Sequence, residues 1–350
     1  MSGGVNRAAR LYENWESRQS QLEAMGGGMK PEDKGLLKLK YDFLREGLYR
    51  ISASPSEQEK LHVFALGVVV GMLERLLYPN RLARVFQQLK SAVWDKPRHL
   101  RVFQEQRAEN LASLTAMMKK MGMGGLSGKL ENTLDYESPS LVISGMHMLA
   151  DQGKLVVALQ LEKEGLGAYR PLDYQLVWNT ADEQLKSCRI PVESGIELSE
   201  AFNMLQGRAV YKGFENVEGK LVRQWVQLDP TVSATEKPIV AFLPDPGFEL
   251  KKSLQDTAVT LEVYGLMKEQ VLKQLESGNR VELQVAGKGA FSVEANPGAK
   301  SLKLFDRLGQ PVSVEVLQRQ LQHSGPEMGK EFKLIRQEHV DQALDRYIYR

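Results

Sequence analysis

The sequence predicts an α+β protein: an N-terminal helical bundle followed by an antiparallel sheet domain that carries helix–hairpin modules. Three observations lead there. Apolar residues recur at helical spacing through the first 120 residues or so, as in Leu36, Leu39, Phe43, Leu44 and Leu48. From Leu141 onward the period changes to two, with Leu155, Val157, Leu159 and Leu161 alternating with polar residues. Finally, the stretch Leu198–Pro230 reads as helix, glycine stop, strand, turn, strand and proline exit. It returns 71 residues later, Gly207 falling on Gly278 and Val210 on Val281. Towards the exit the offset falls to 67, because Asp229-Pro230 matches Asn296-Pro297. The second hairpin is therefore the shorter one.

Taken in order, residues 1–25 form an amphipathic helix with Leu11, Trp15 and Leu22 on one side. Gly26-Gly27-Gly28 ends it, since three glycines cost too much backbone entropy inside a helix. A second helix covers Pro31–Ile51. Ser54-Pro55-Ser56-Glu57 then reads as a capping box that starts a third, which Pro79-Asn80 stops after Tyr78. Its Val63–Leu73 portion is apolar nearly all round, which places it at the centre of a bundle or of a homo-oligomer. Gly67 and Gly71, four apart, let a neighbouring helix approach closely. The next helix, Arg81–Val93, is expected to turn Leu82, Val85, Phe86 and Leu89 inward; another spans Arg98–Met121 and stops at Gly122-Met123-Gly124-Gly125.

A short helix at Ser127–Leu134 precedes the strands Leu141–Leu149, Leu155–Leu161, Tyr174–Trp178 and Lys186–Val192. Their short connections favour an antiparallel meander over parallel crossovers. After the first helix–hairpin module at 198–230 comes a proline-punctuated link, Ile239–Phe248. The second module follows at 266–297, its helix over Leu266–Glu276 and its turn at Gly287-Lys288-Gly289. A strand is expected at Leu302–Phe305 and a helix at Val314–Gln322. Beyond Ser324-Gly325-Pro326, Lys330–Tyr347 reads as a last helix. The corresponding organisation is a helical domain over 1–107, an α+β domain over 108–322, and a linker and helix over 323–350.

With 350 residues, 26% charged and 42% apolar, the chain has the composition of a folded protein of two or three domains. Its net charge of +2 excludes a whole-molecule polyelectrolyte, so nucleic-acid binding has to rest on a local surface. Residues 75–120 supply one, with ten Lys or Arg against three Asp or Glu. Arg81, Arg84, Arg98 and Arg101 are its candidate contacts to phosphates, against the alternative of a solvated face. Tyr211, Phe214 and Trp225, near Arg208, Lys212, Lys220 and Arg223, suggest either a base-stacking platform or a packed core. Core is favoured for Tyr211 and Trp225.

The single cysteine, Cys188, lies on an expected strand and reads as a structural thiol. His62, His99, His147, His323 and His339 are scattered, and His62 is expected to pack within its apolar helix. Asp229, Asp245 and Asp256 sit in turn-like contexts without metal-ligand spacing. No phosphate loop or nucleophile elbow is present in the sequence, so neither a catalytic residue nor a cofactor is assigned. No segment has the length and apolarity of a signal peptide or membrane span, which suggests a cytoplasmic protein without a membrane partner.

Several motifs carry a resemblance. Asn110-Leu111 and Met121-Gly122-Met123-Gly124 are followed by Glu200-Ala201-Phe202-Asn203-Met204-Leu205-Gln206-Gly207-Arg208-Ala209-Val210, then by Trp225-Val226-Gln227-Leu228-Asp229 and Glu294-Ala295-Asn296-Pro297. In these the chain resembles uncharacterised Bacteroidota proteins encoded on conjugative transposons and related mobile elements. Its hairpin modules are similar to ones appended to topoisomerases of those elements. The resemblance covers about residues 60–310; the tail after Leu321 is shorter than the glutamine-rich tails of such proteins. It implies an accessory protein of a mobile element and no catalytic residues. The expected activity is thus binding or scaffolding through an unidentified protein partner. The alternatives are direct DNA or RNA binding through the basic helical surface, and an enzyme without a recognised motif.

Overall fold

A computed structural model of the chain describes residues 6–25, 33–149, 153–215, 218–229, 231, 239–241, 248–261, 269–285, 289–322 and 332–337. It is α+β, as the sequence predicts. Helices α1 (Arg7–Met25), α2 (Lys34–Ser52), α3 (Lys60–Leu77), α4 (Arg81–Lys90), α5 (Lys96–Lys120) and α6 (Leu130–Thr133) come first. Strands β1 (Ser140–Leu149), β2 (Gly153–Gly165), β3 (Ala168–Asn179) and β4 (Leu185–Pro191) follow and form one sheet in the order β1-β2-β3-β4. The remainder is α7 (Leu198–Leu205), β5 (Val210–Glu215), β6 (Leu221–Leu228), β7 (Ile239–Ala241), α8 (Leu250–Thr260), α9 (Glu269–Glu276), β8 (Val281–Val285), β9 (Gly289–Asn296), β10 (Ser301–Phe305), β11 (Pro311–Val312), α10 (Val314–Gln322) and β12 (Phe332–Gln337).

The chain divides into two compact units. One comprises Met1–Leu114, Lys129–Leu141 and Leu161–Arg170; the other comprises Thr115–Gly128, Val142–Gln160 and Pro171–Arg350. The first unit is built on α1, α2 and α3. Ala8, Leu11, Trp15, Leu36, Tyr41, Leu44, Ile51, Leu66, Leu73 and Leu77 form its core. Gly47 is needed where α1 crosses α2, because a Cβ there would lie 2.2 Å from Leu11 Cδ2.

The start of α3 departs from the expectation. Ser54-Pro55-Ser56-Glu57 does not cap it; the helix begins at Lys60. Glu59, buried just before it, accepts from Ser56 N at 2.9 Å and takes three donors from Arg7. A long-range ion pair has displaced the local cap. The expected break between the helices at 93 and 98 is also absent. A π-helical turn, Ser91–Asp95, joins α4 to α5, so Pro97 is carried through without ending the helix. The wider turn already shifts the hydrogen-bond ladder to i−5 at Lys96, where proline's missing N–H and ring are tolerated.

The second unit contains the repeat. Val210 pairs with Val226 in the first hairpin and Val281 with Val293 in the second, so the registers are separated by 71 and 67 residues. The correspondence extends further than the helix and hairpin. Leu228 pairs with Ile239 as Ala295 pairs with Leu302, adding a third strand to each module. A helix then closes each, with buried Leu254 on α8 matching buried Leu317 on α10. The helix ends match atom for atom. Gly207 N bonds Met204 O and Arg208 N bonds Asn203 O; Gly278 N bonds Leu275 O and Asn279 N bonds Gln274 O. Both glycines have positive φ, +82° and +77°. The modules meet at these ends, where Asn203 Nδ2 donates to Ser277 O and to Asn279 Oδ1, each at 2.8 Å.

The strands β5-β6-β7 form one sheet and β11-β10-β9-β8-β12 another. The last of these corrects the expectation of a helix over Lys330–Tyr347: Phe332–Gln337 is a strand antiparallel to β8. The open hydrogen-bonding edge of β8 outweighs a weak local helix preference. Residues 338–347 of that expectation, and most of the Gly287-Lys288-Gly289 turn, lie outside the described residues.

Candidate functional site

The positions expected to carry function fall into three groups: the aromatic residues of the first hairpin, the polar groups around α2, α4 and α5, and the surfaces of α3 and α4. On the hairpin, Trp225 is buried, its ring 5.4 Å from Phe248 and 5.2 Å from Tyr211. Lys212 is tied to Glu200 at 2.6 Å, and Arg223 lies over Tyr211 at 4.7 Å. Trp225 is thus a core residue as expected, and Tyr211, partly buried, packs against that core with its ring beside Trp225 and under Arg223. Asp229 accepts from Thr231 N and Oγ1 in a local turn. Burial pushes the Cys188 thiol up to about 12, which keeps it protonated and unreactive.

In the first unit an open cleft of about 520 Å³ is lined by residues of α2, α4 and α5, including Asp42, Arg45, Glu46, Asp95, Arg98 and His99. Its charges are largely matched internally. Arg45 lies 3.3 Å from Asp42 and 3.7 Å from Asp95, and Lys38 lies 2.7 Å from Asp42. Burial and the Arg50 guanidinium lower the His99 imidazole to about 4, and its Nε2 is 3.1 Å from Arg50 Nη1. Burial raises the Glu46 carboxyl, with Asp42 adding repulsion. Among the described residues no group of His, Cys, Asp and Glu is arranged to hold a metal ion. His62, expected to be packed, is exposed and lies 2.9 Å from Asn6 Nδ2 through its Nδ1.

The four candidate arginines do not converge. Arg81 and Arg84 lie in the first turn of α4, and Arg98 and Arg101 near the start of α5. The fourteen-residue step along the helix from Arg84 to Arg98 sets the pairs about 20 Å apart. Arg84 is half-buried, Arg98 lines the cleft with its acids, and Arg101 pairs with Glu105 at 3.9 Å.

The unexpected feature is α4 itself. Leu82, Val85, Phe86 and Leu89 do not face in. They are exposed, Leu82 at 80% and Phe86 at 69%, and Val93 and Trp94 continue the exposure. Asn80 sets the helix going by accepting from Leu82 N at 2.9 Å, and the spacing i, i+3, i+4, i+7 and i+11 then aligns Leu82, Val85, Phe86, Leu89 and Val93 in one stripe. The polar side of the same helix is the one held by the protein. Gln88 Nε2 donates to Glu74 Oε2 at 3.1 Å, Ser91 Oγ bonds Tyr49 OH, and Asp95 faces Arg45. This is an amphipathic helix docked by its polar face.

The helix before it shares the property in part. Leu66, Leu73 and Leu77 of α3 enter the core, whereas Leu61, Phe64, Val68, Met72 and Leu76 form an exposed stripe. Of the two placements expected for Val63–Leu73, the centre of a bundle within one chain holds for only about half its circumference. Gly67 and Gly71, expected to admit a neighbouring helix, meet nothing within 4 Å of a Cβ at either position. Sequence periodicity identified the α4 stripe but not which way it points, and it showed α3 only as apolar nearly all round.

Comparison with protein-family models, curated proteins and solved structures finds no match to this chain. No helix among the described residues is long and apolar enough to cross a membrane.

Proposed function

We propose that the chain is a non-enzymatic binding and scaffolding protein, an accessory of a mobile genetic element as its resemblance implies. It acts through protein–protein contacts made by the outward stripes of α3 and α4. The observation that carries this reading is the orientation of α4 and the π-helical turn that continues it, whose polar side makes the contacts to Glu74, Tyr49 and Arg45 while the apolar side is left to solvent. Eleven large apolar residues, from Leu61 to Trp94, lie on these two helices and the π-helical turn that continues α4, at 43% to 80% exposure. With side chains of roughly 150–250 Å² each, they present on the order of 1,000 Å² of apolar surface. Single domains seldom leave more than about 300–600 Å² exposed in a patch without an interaction to use it. The cleft favours an enzyme less, because Arg45 is already paired with Asp42 and Asp95.

The test is site-specific photo-crosslinking in the native cell. A benzophenone amino acid is placed at Phe64 or Phe86, with Leu308, a separate exposed leucine, as control. Protein adducts are expected from positions 64 and 86 and not from 308. A folded protein that gives no adduct at either stripe position refutes the proposal.

A further inference from the structure

The reading above leaves open what covers the stripes. We infer that their occupant is a second copy of this chain, so that the stripes of α3 and α4 of one copy are covered by those of the other. The inference rests on that reading and deepens it.

Composition comes first. The stripes contain Leu61, Phe64, Val68, Met72, Leu76, Leu82, Val85, Phe86, Leu89 and Val93, and no charged side chain interrupts either series. Transient interfaces are only about as apolar as ordinary surface, whereas permanent homodimer interfaces resemble a core cut in half. The area agrees: on the order of 1,000 Å² from one copy is what one side of a stable interface supplies, roughly 800 Å² per partner or more. Connectivity is favourable too. A corner of only Tyr78, Pro79 and Asn80 joins the two helices, and the Gln88–Glu74 bond ties them beyond that corner. Two helices held at such a corner with outward apolar stripes bury them by pairing with the same stripes of a second copy about a two-fold axis. Gly67 and Gly71 border the α3 stripe with open space above them, the condition for close approach of a helix from another molecule.

The cations beside the stripes provide a discriminating signature. Arg75, Arg81 and Lys90 are exposed on these helices, while their one acid, Glu74, is buried. Two copies bring like charges together, so added salt screens repulsion and tightens the dimer. An acidic partner helix or an anionic bilayer would instead be released by salt.

The experiment is analytical ultracentrifugation of the full chain from 1 to 100 µM at 50 and 500 mM salt. The expected species has twice the 39.4 kDa chain mass, with a dissociation constant no higher at 500 than at 50 mM salt. Phe64→Glu and Phe86→Glu change side chains exposed in a single copy, so helical content is expected to hold while dimer affinity falls at least a hundredfold. Gly71→Leu provides a second route, since it favours the helix but fills the approach, and a tenfold loss is expected. A wild-type monomer at 100 µM, a dimer indifferent to all three variants, or a dimer dissolved by salt overturns the inference. So does a monomer that co-sediments with phosphatidylcholine–phosphatidylserine vesicles, which would assign the stripes to a membrane surface. A wild-type monomer whose stripe positions still cross-link to another protein removes the second copy but leaves the proposed function standing; a monomer with no adducts removes both.

Discussion

Replacing Glu59 by Gln tests how the first unit is held together at the entry to α3. The Glu59 carboxylate accepts from Arg7 N at 2.9 Å, from Arg7 Nε and Nη2 at 2.8 Å each, and from Ser56 N at 2.9 Å. Its side chain is only 3% exposed, and the Arg7 hydrogen bonds, opposed by burial, bring it from 4.5 to about 2. At about 1.4 kcal/mol per unit, and discounted because Arg7 is a quarter exposed, the carboxylate contributes about 2–3 kcal/mol at neutral pH. The folded value is the depressed one. The contribution is therefore complete above about pH 4.5 and is lost as pH falls towards 2. A two-unit chain need not unfold in one step, so the local measurement is hydrogen exchange of α1 peptides, corrected for intrinsic rate at each pH. Glu59→Gln is expected to lower the opening free energy of α1 by about 2–3 kcal/mol at pH 7 and by less than half of that at pH 3. An equal penalty at both pH values would refute the electrostatic account, as would one below about 0.5 kcal/mol at pH 7.

Two further outcomes follow from particular positions. Gly207→Ala and Gly278→Ala alter the same cap of the two modules, but the surroundings differ. A Cβ at 207 meets nothing within 4 Å, whereas one at 278 would lie 2.9 Å from Ala209 O. Thermal or urea unfolding should therefore show a loss of about 1 kcal/mol at 207, from the left-handed backbone alone, and about 2 kcal/mol or more at 278. Equal losses would mean that the modules do not meet at these caps. The joint Glu substitution of Arg81, Arg84, Arg98 and Arg101 is expected to leave retention of a 40-mer oligonucleotide unchanged at 50 mM salt. A tenfold loss that disappears by 200 mM would restore the basic surface as a nucleic-acid contact.

What the sequence disclosed, and where it stopped, follows from which features are local. Alternation at period two is set by the pleat itself, so β2, β3 and both hairpins could be read from Leu155, Val157, Tyr174, Leu176, Val281 and Leu283 without knowing their partners. The change of offset from 71 to 67 survived for the same reason: the cap glycines and paired valines fix it within each module. The third strands and closing helices of the repeat were harder. β7 has three residues, and α8, Leu250–Thr260, has no charge or cap signal strong enough to separate it from the loop before it. The errors were of another kind. Ser54 to Glu57 satisfied a local capping pattern, yet Arg7, more than forty residues away, captured Glu59 and moved the helix start. Phe332–Gln337 found an open strand edge that its own sequence does not announce.

The orientation of α4 is the most consequential of these misses, and its cause is general. Periodicity says that a helix has an apolar side; the step from apolar to inward assumes that the only interior available is that of its own chain. A signal against that step was present on the opposite side. Positions 84, 87, 88, 91 and 95 include Gln87, Gln88 and Ser91, uncharged polar groups that suit contact with other polar side chains better than free solvation. In the folded chain they meet such groups: Glu74 takes Gln88, Tyr49 takes Ser91, and Arg45 takes Asp95. Each bond fixes the rotation of α4 about its axis, and any one rotation that satisfies them leaves Leu82, Phe86 and Leu89 outside. Turning the stripe inward would break three polar contacts without offering the stripe a buried apolar surface, since Leu66, Leu73 and Leu77 already pack in the core with α1 and α2. The outward stripe is thus a consequence of how the first unit completes its own core with three helices, which leaves the apolar side of the fourth outside it.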